Sequence, residues 1–203
     1  MITLYGITAS RAFRCLWMLE ELDLTYQREK LDYRGETLRS PDYLAINPNG
    51  RIPTLKDGDL ILWESMAINL YLARRYGSEK HLWPDSTESE GLALQWSFWV
   101  MTEIEQHLLS LLMHKRMLPA DKRDAAKVTR NEGILRPPLQ VLEQALADRD
   151  YLVDGRFTVA DLNLASVLSW TRPARYSLKS LPQVHAWLDR CLDRPARKRA
   201  QAD

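Results

Sequence analysis

Apolar and polar positions follow two periods along this chain, and the change between them comes once. Ile2 to Tyr5 fits a short strand, and Gly6 to Ala9 reads as a loop. From Ser10 to Leu22 the residues Phe13, Leu16, Trp17 and Leu19 recur near helical spacing, which predicts an amphipathic helix. Tyr26 to Leu31 reads as a second strand and Thr37 to Ile46 as a short helix. Asn47-Pro48-Asn49-Gly50 is a dense turn signal. Two strands follow, Thr54 to Lys56 and Leu60 to Trp63, joined at Asp57-Gly58. Ser65 to Tyr76 is a helix. The order is βαβ, then αββα.

Gly77 to Ser86 is a polar connection, and beyond it strand signals stop. Helical patterns cover Glu88 to Met117, Asp121 to Leu146, Thr158 to Trp170 and Gln183 to Leu192, with a short one at Arg194 to Ala202. Gly133 and the Pro137-Pro138 pair predict a kink or break in the second of these. The pattern predicts an α/β domain over residues 1–77, a linker over 78–87 and an all-helical domain over 88–203.

Composition narrows the partners. Among 203 residues, Lys plus Arg is 28 and Asp plus Glu is 27, so no global field steers the chain toward nucleic acid or anionic membrane. The basic end Arg194, Arg197, Lys198 and Arg199 reads as a solvated helix face. No apolar run approaches a bilayer span, and MITLYGITASRAFR lacks a signal-peptide pattern, so the expected location is cytoplasmic. Cys15 and Cys191 form neither a CxxC nor a zinc spacing, and no metal site is expected. His107 and His114 lack a third ligand.

Four motifs carry candidate chemistry. Ser10 stands at a loop-to-helix junction, where its hydroxyl either caps the helix or donates to an anion helped by the helix dipole. Arg51-Ile52-Pro53 follows the turn; its proline is either an ordinary trans edge residue or a cis one that turns the Ile52 backbone toward a peptide-like ligand. Glu64-Ser65 opens a helix, either as a cap or as a cradle for a zwitterionic amino-acid head. Thr158-Val-Ala-Asp161, with Phe157 before it and Leu162 after, is a capping box with a hydrophobic staple and reads as structural.

In order and spacing these motifs resemble a glutathione S-transferase over essentially the whole chain: NPNGRIPTL, then WES with MAINLYLARRY, then FTVADLNLA. The Ser10-x-x-x-Arg14 spacing is similar to the serine-type theta, delta and tau classes and their bacterial relatives. Tyr5 ranks second as the thiol-activating residue and Thr8 third. No Cys occupies positions 8–11, and Ser10-Arg11-Ala12-Phe13 stands where a thioredoxin carries CxxC.

The resemblance implies a thioredoxin-like N-terminal domain followed by an all-helical domain, and a homodimer. It implies glutathione as co-substrate and conjugation of its thiolate to small hydrophobic electrophiles, a detoxification chemistry, with peroxide reduction as a side activity. Ser10 would then stabilise the thiolate, with Arg11 reinforcing it. Ile52 would pair with the cysteinyl part beside a cis Pro53. Glu64 and Ser65 would hold the γ-glutamyl end, and Arg51 or Arg39 the glycine carboxylate. The electrophile would lie in a cleft between the domains. Ile7, Thr8, Trp96, Trp99, Glu103, His107, His114 and Trp170 are its candidate lining; Trp96, Trp99 and Glu103 share one face of an ideal helix, with core packing as the alternative for the Trp pair and a surface position as the alternative for Glu103 and His107. Rival readings are a non-catalytic binding or regulatory module of the same fold, or a glutathione-dependent isomerase or dehalogenase.

Overall fold

The computed structural model describes residues 1–202, and the chain divides into two units. One comprises Met1–Trp83 and the segment from Arg194 onward; the other is Pro84–Asp193. In the first, β1 (Ile2–Tyr5) leads to α1 (Ala12–Glu21), β2 (Tyr26–Glu29), a 3-10 turn (Glu36–Arg39) and α2 (Pro41–Ile46). Then come β3 (Thr54–Asp57), β4 (Leu60–Trp63) and α3 (Ser65–Tyr76). The sheet order is β2-β1-β3-β4, with β1 parallel to β2 and antiparallel to β3. This is the thioredoxin-like arrangement.

The core of this unit follows from the two periods. Leu4 on β1 stands opposite Leu55 on β3, and both are fully buried. Against the sheet pack α1 and α3. Leu16, Trp17, Met18 and Leu19 of α1 are sealed from solvent, each contributing roughly 1.5–3 kcal/mol of burial. The helix expected at Thr37 to Ile46 is split in two. Pro41 disfavours helical backbone at the residue before it, so Ser40 is extended and caps α2, accepting the Tyr43 N–H at 3.3 Å.

The basic C-terminal end is not a solvated face of the helical domain. It forms α9 (Pro195–Gln201), which packs on α1. Arg194 donates through Nε and Nη2 to the two Glu21 oxygens, each at 2.7 Å. Trp17 Nε1 donates to the same carboxylate at 2.8 Å, and Arg199 Nε reaches Glu20 at 2.9 Å. The paired carboxylates at the end of α1 attract the arginines, and the bidentate geometry fixes them. The helical domain expected over 88–203 therefore ends earlier, and its start lies at Pro84.

The second unit is all-helical. Thr87 to Met117 is one helical run: α4 (Thr87–Trp99), a π-type stretch (Val100–Glu105), α5 (Gln106–Leu112) and a second π-type stretch (Met113–Met117). Next come α6 (Ala125–Ala145), α7 (Val159–Leu168) and α8 (Pro182–Leu192). The start of α6 is displaced from Asp121 because Asp124 caps it, accepting the Ala126 and Lys127 N–H groups at 2.9 and 3.2 Å. No break occurs at Gly133 or at Pro137-Pro138. The carbonyls that lose partners there belong to Gly133 and Ile134, and exposed Gly133 leaves its own within reach of water.

All ten residues of α7 are buried. Thr158 and Asp161 form the expected capping box, and Phe157 meets the Tyr151 ring edge-on at 6.0 Å. Asp161 does more than cap. Its oxygens also accept Leu152 N–H at 3.0 Å and Trp187 Nε1–H at 2.9 Å, tying α7 to α8. Burial pushes its carboxyl up to about 6, against donation by Trp187, Leu152 and Thr158. The folded chain thus holds a proton that the unfolded chain releases near 3.8. The Asp161 contribution is full below that value and is lost as pH rises through about 6. The gap in unfolding free energy between wild type and Asp161→Asn is expected to narrow between about pH 4 and about pH 7, by no more than about 3 kcal/mol. Urea titrations across that range check this; a constant gap contradicts it.

Candidate functional site

Sheet register assembles the site. Tyr5 at the end of β1 pairs with Thr54 at the start of β3, and Thr54 pairs with Trp63 at the end of β4. The segments just outside these three residues are Gly6 to Ser10, Arg51 to Pro53, and Glu64-Ser65. All three therefore emerge at one edge of the sheet, together with the N-termini of α1 and α3. Ser10, the Arg51–Pro53 segment and Glu64-Ser65, all singled out in the sequence, are thereby brought to one place.

Gly6 makes the first segment possible. Its φ is +142°, and a Cβ there would stand 2.5 Å from the Ala12 Cβ and 3.5 Å from the Ile52 Cβ. A side chain would push α1 away from the strand. In the loop, Thr8 Oγ1 accepts from Arg28 Nη2 at 2.8 Å, and Arg28 Nε also donates to the Gly6 carbonyl at 3.3 Å. Ile7 is half-buried. Ser10 precedes the first helical residue by two. Its hydroxyl accepts the Ala12 N–H at 3.1 Å and donates to the Ile7 carbonyl at 2.7 Å. Arg11 holds the N-cap position with no side-chain cap, so Ser10 meets the first helical N–H of α1 from one residue further out, and its proton is directed back into the loop. The Tyr5 ring stands edge-on to Tyr43 at 6.1 Å.

The second segment is held from behind. The Ile52–Pro53 bond is cis. Buried Tyr43 donates to the Arg51 carbonyl at 2.7 Å and shares a hydrogen bond with Thr54 Oγ1 at 2.9 Å. Asn47 Nδ2 donates to the same carbonyl at 2.8 Å and to Thr54 Oγ1 at 2.9 Å. Gly50, at φ +58°, closes the turn so tightly that a Cβ would stand 2.8 Å from the Leu38 carbonyl oxygen. Arg39 Cδ lies 3.9 Å from that same point, so the exposed side chains of Arg39 and Arg51 flank one turn. Tyr43 and Asn47 were not singled out in the sequence. The turn signature at Asn47 was the only clue, and it named a turn rather than a buried polar network.

At the third segment Glu64, not Ser65, occupies the N-cap position of α3, and its side chain caps nothing. Its backbone sits at φ 74°, ψ 112°, a region that costs a non-glycine residue on the order of 1–3 kcal/mol. Ser65 is the first helical residue and is buried; its hydroxyl accepts from Arg14 Nη1 at 3.3 Å. Arg14 is 1% exposed. Its carbonyl accepts from Asn69 Nδ2 at 3.3 Å, and the Cys15 thiol reaches the Ser65 carbonyl at 3.8 Å. Burial pushes that thiol up, with the Arg14 charge opposing, so Cys15 is a packed thiol. A charged residue on the apolar face of α1 was the signal in the sequence that Arg14 is special.

The residues expected to line an electrophile site separate within the helical unit. Trp96 is buried and Trp99 half-buried, and their rings meet edge-on at 5.1 Å. Glu103 is exposed, whereas Ile104 and Glu105 are buried. A π-type stretch runs over Val100–Glu105, and Val100, Ile104 and Glu105 are its buried positions. His107 Nδ1 bonds to Asn131 Oδ1 on α6 at 3.0 Å, and His114 Nδ1 accepts the Asp124 N–H at 3.2 Å. Both imidazoles thus serve contacts with the α6 segment. Trp170 is half-buried in a 3-10 turn after α7. Among the described residues no group of three or more His, Cys, Asp or Glu stands together as a metal cluster. No described helix is long and apolar enough to cross a membrane.

Known proteins share this construction. The glutathione S-transferase N-terminal domain profile matches residues 1–74, and the C-terminal domain profile matches residues 100–195. Glutathione S-transferase 1 of Schizosaccharomyces pombe is 33% identical over 89% of this chain and 86% of its own length. Glutathione S-transferase GstB of Escherichia coli K12 is 32% identical over 97% of this chain and 95% of its own. The theta class glutathione S-transferase of Xanthomonas axonopodis pv. citri, solved with glutathione bound, superposes with a TM-score of 0.91 at 31% identity. That match covers 100% of this chain and 97% of the other. Two domain profiles in the right order, a shared fold and relatives matched nearly end to end lead to one conclusion: the chain belongs to the glutathione S-transferase family.

Proposed function

We propose that this transferase binds glutathione along the sheet edge and transfers its thiolate to small hydrophobic electrophiles, with Ser10 as the thiolate-stabilising residue. The observation that carries this reading is the register through Tyr5, Thr54 and Trp63, which gathers two helix N-termini and the cis Pro53 segment on one edge. Helix N-termini favour anions, and glutathione brings a thiolate and two carboxylates.

Each segment takes one part of the tripeptide. The Ile52 backbone pairs with the cysteinyl unit in the manner of strand addition. Ser65 and the first-turn N–H groups of α3 take the γ-glutamyl carboxylate, and Glu64 takes its ammonium. The strained backbone at Glu64 fits a position kept for a ligand. Arg39 and Arg51 serve the glycine carboxylate beside the Gly50 turn. In the helical unit, half-buried Trp99, backed edge-on by buried Trp96, offers an apolar contact for the electrophile, with Trp170 as a further aromatic wall. A homodimer is the assembly proposed.

Ser10 is neither nucleophile nor base. Its hydroxyl exchanges the neutral bond to the Ile7 carbonyl for a charge-assisted bond to the thiolate. That exchange is worth on the order of 1–1.5 kcal/mol, which is about one pKa unit. An ordinary thiol titrates near about 8.5, so one unit multiplies the nucleophile present at neutral pH several-fold. Holding the two reactants together supplies the larger part of the rate. The same thiolate can attack a hydroperoxide O–O bond, which gives the alcohol and a sulfenic acid that a second glutathione converts to disulfide and water.

Two measurements test these roles. Ser10→Ala raises the pKa of the bound glutathione thiol by about one unit, lowers turnover near pH 7 several-fold and leaves turnover well above the new pKa unchanged. Thiolate absorbance titrated against pH reads this; an unshifted titration removes Ser10 from the role and passes it to Thr8 or Tyr5. Glu64→Gly relieves the positive-φ backbone and raises unfolding free energy by roughly 1 kcal/mol, yet weakens glutathione about tenfold or more. Calorimetry that finds the affinity intact would show that the γ-glutamyl head lies elsewhere.

A further inference from the structure

A buried arginine stands directly behind the N-terminus of α3. Arg14 lies inside α1 with 1% of its surface exposed. Its guanidinium has donors and no acceptor, and Nη1 is bonded to Ser65 Oγ at 3.3 Å. A serine hydroxyl has two lone pairs and a single proton. Arg14 fills one lone pair and can never receive the proton. Among the described residues Ser65 Oγ has no second hydrogen-bond partner. The proton is thus left for an acceptor on the outer side, where the first turn of α3 presents N–H groups without intrahelical partners.

We propose that Arg14 is a positioning residue that makes Ser65 an obligate donor toward the γ-glutamyl carboxylate of glutathione. This rests on the reading above that the α3 N-terminus takes that carboxylate. Arg14 is itself held in place from α3: Asn69 Nδ2 donates to its backbone carbonyl at 3.3 Å, and the neighbouring Cys15 thiol contacts the Ser65 carbonyl at 3.8 Å. These two contacts hold the α1 backbone at Arg14 and Cys15 against the first turns of α3, from which the guanidinium reaches Ser65. The buried positive charge and the positive end of the α3 dipole act on the same anion. Arg14 thereby sets the direction of a hydrogen bond on α3 while lying on the helix that follows Ser10.

The test uses the intact enzyme with glutathione and with its analogue 4-aminobutyryl-cysteinyl-glycine, which lacks only the γ-glutamyl α-carboxylate. Wild type prefers glutathione. Arg14→Met raises the KM and Kd for glutathione about tenfold with little change in kcat. It leaves the affinity for the analogue unchanged within about twofold. Ser65→Ala gives the same pattern, and the double variant loses no more than either single one, because the two act as one unit. Arg14→Lys keeps a donor-only cation and retains the preference for glutathione within about threefold. Equal losses for glutathione and analogue in Arg14→Met, or additive losses in the double variant, overturn the proposal. If Arg14→Met does not fold, Arg14→Lys decides: a Lys variant that no longer prefers glutathione overturns it. Should Ser65→Ala bind glutathione as wild type does, the site assignment at α3 fails instead.

Discussion

The antiparallel pairing of β3 between β1 and β4 is the constraint on which the rest depends. A strand register fixes which residue ends opposite which, and a slip of one residue turns every side chain to the other face. Here the pairing puts Leu4 against Leu55 in the core and Tyr5 against Thr54 at the rim. The segments Gly6 to Ser10, Arg51 to Pro53 and Glu64-Ser65 lie next to that rim in the chain. None of them needs a long loop to reach the site, so little conformational entropy is spent in assembling it.

Behind that rim, polar side chains are buried in order to aim backbone and hydroxyl groups outward. Tyr43 and Asn47 hold the Arg51 carbonyl and Thr54 from the interior. Arg14 holds Ser65. Buried polar groups are costly unless satisfied, and here the partners are the atoms that must not move. The helical unit uses the same device in its core, where one Asp161 carboxylate joins Leu152, Thr158 and Trp187. In both units the sealed polar groups define geometry and the exposed ones are left for chemistry.

Local signals name their own residues well and distant partners poorly. Ser10, Pro53, Glu64 and the Thr158–Asp161 box were legible because each sits in a turn or helix start with a sequence signature. The basic C-terminal end was not. Its arginines read as solvated until Glu20 and Glu21, far away in sequence, turned out to receive them. The face shared by Trp96, Trp99 and Glu103 was drawn on an ideal helix. There Trp96 is buried and Glu103 exposed, and a helical period alone does not say which member of a face meets solvent.

The sequence by itself determined the kinds of element, their order and the turn and helix-start motifs at Ser10, Pro53 and Glu64-Ser65. Periodicity reports which side of an element is buried, and turn residues report where it stops. Tertiary structure alone decided three things. It made the Ile52–Pro53 bond cis, between a turn locked by Asn47 and a strand locked by Leu4 and Leu55. It returned the C-terminal helix to α1. It also placed the Arg14 guanidinium against the Ser65 hydroxyl, 51 residues apart in the chain. Each of these depends on contacts between segments distant in sequence, and only the folded chain brings those segments together.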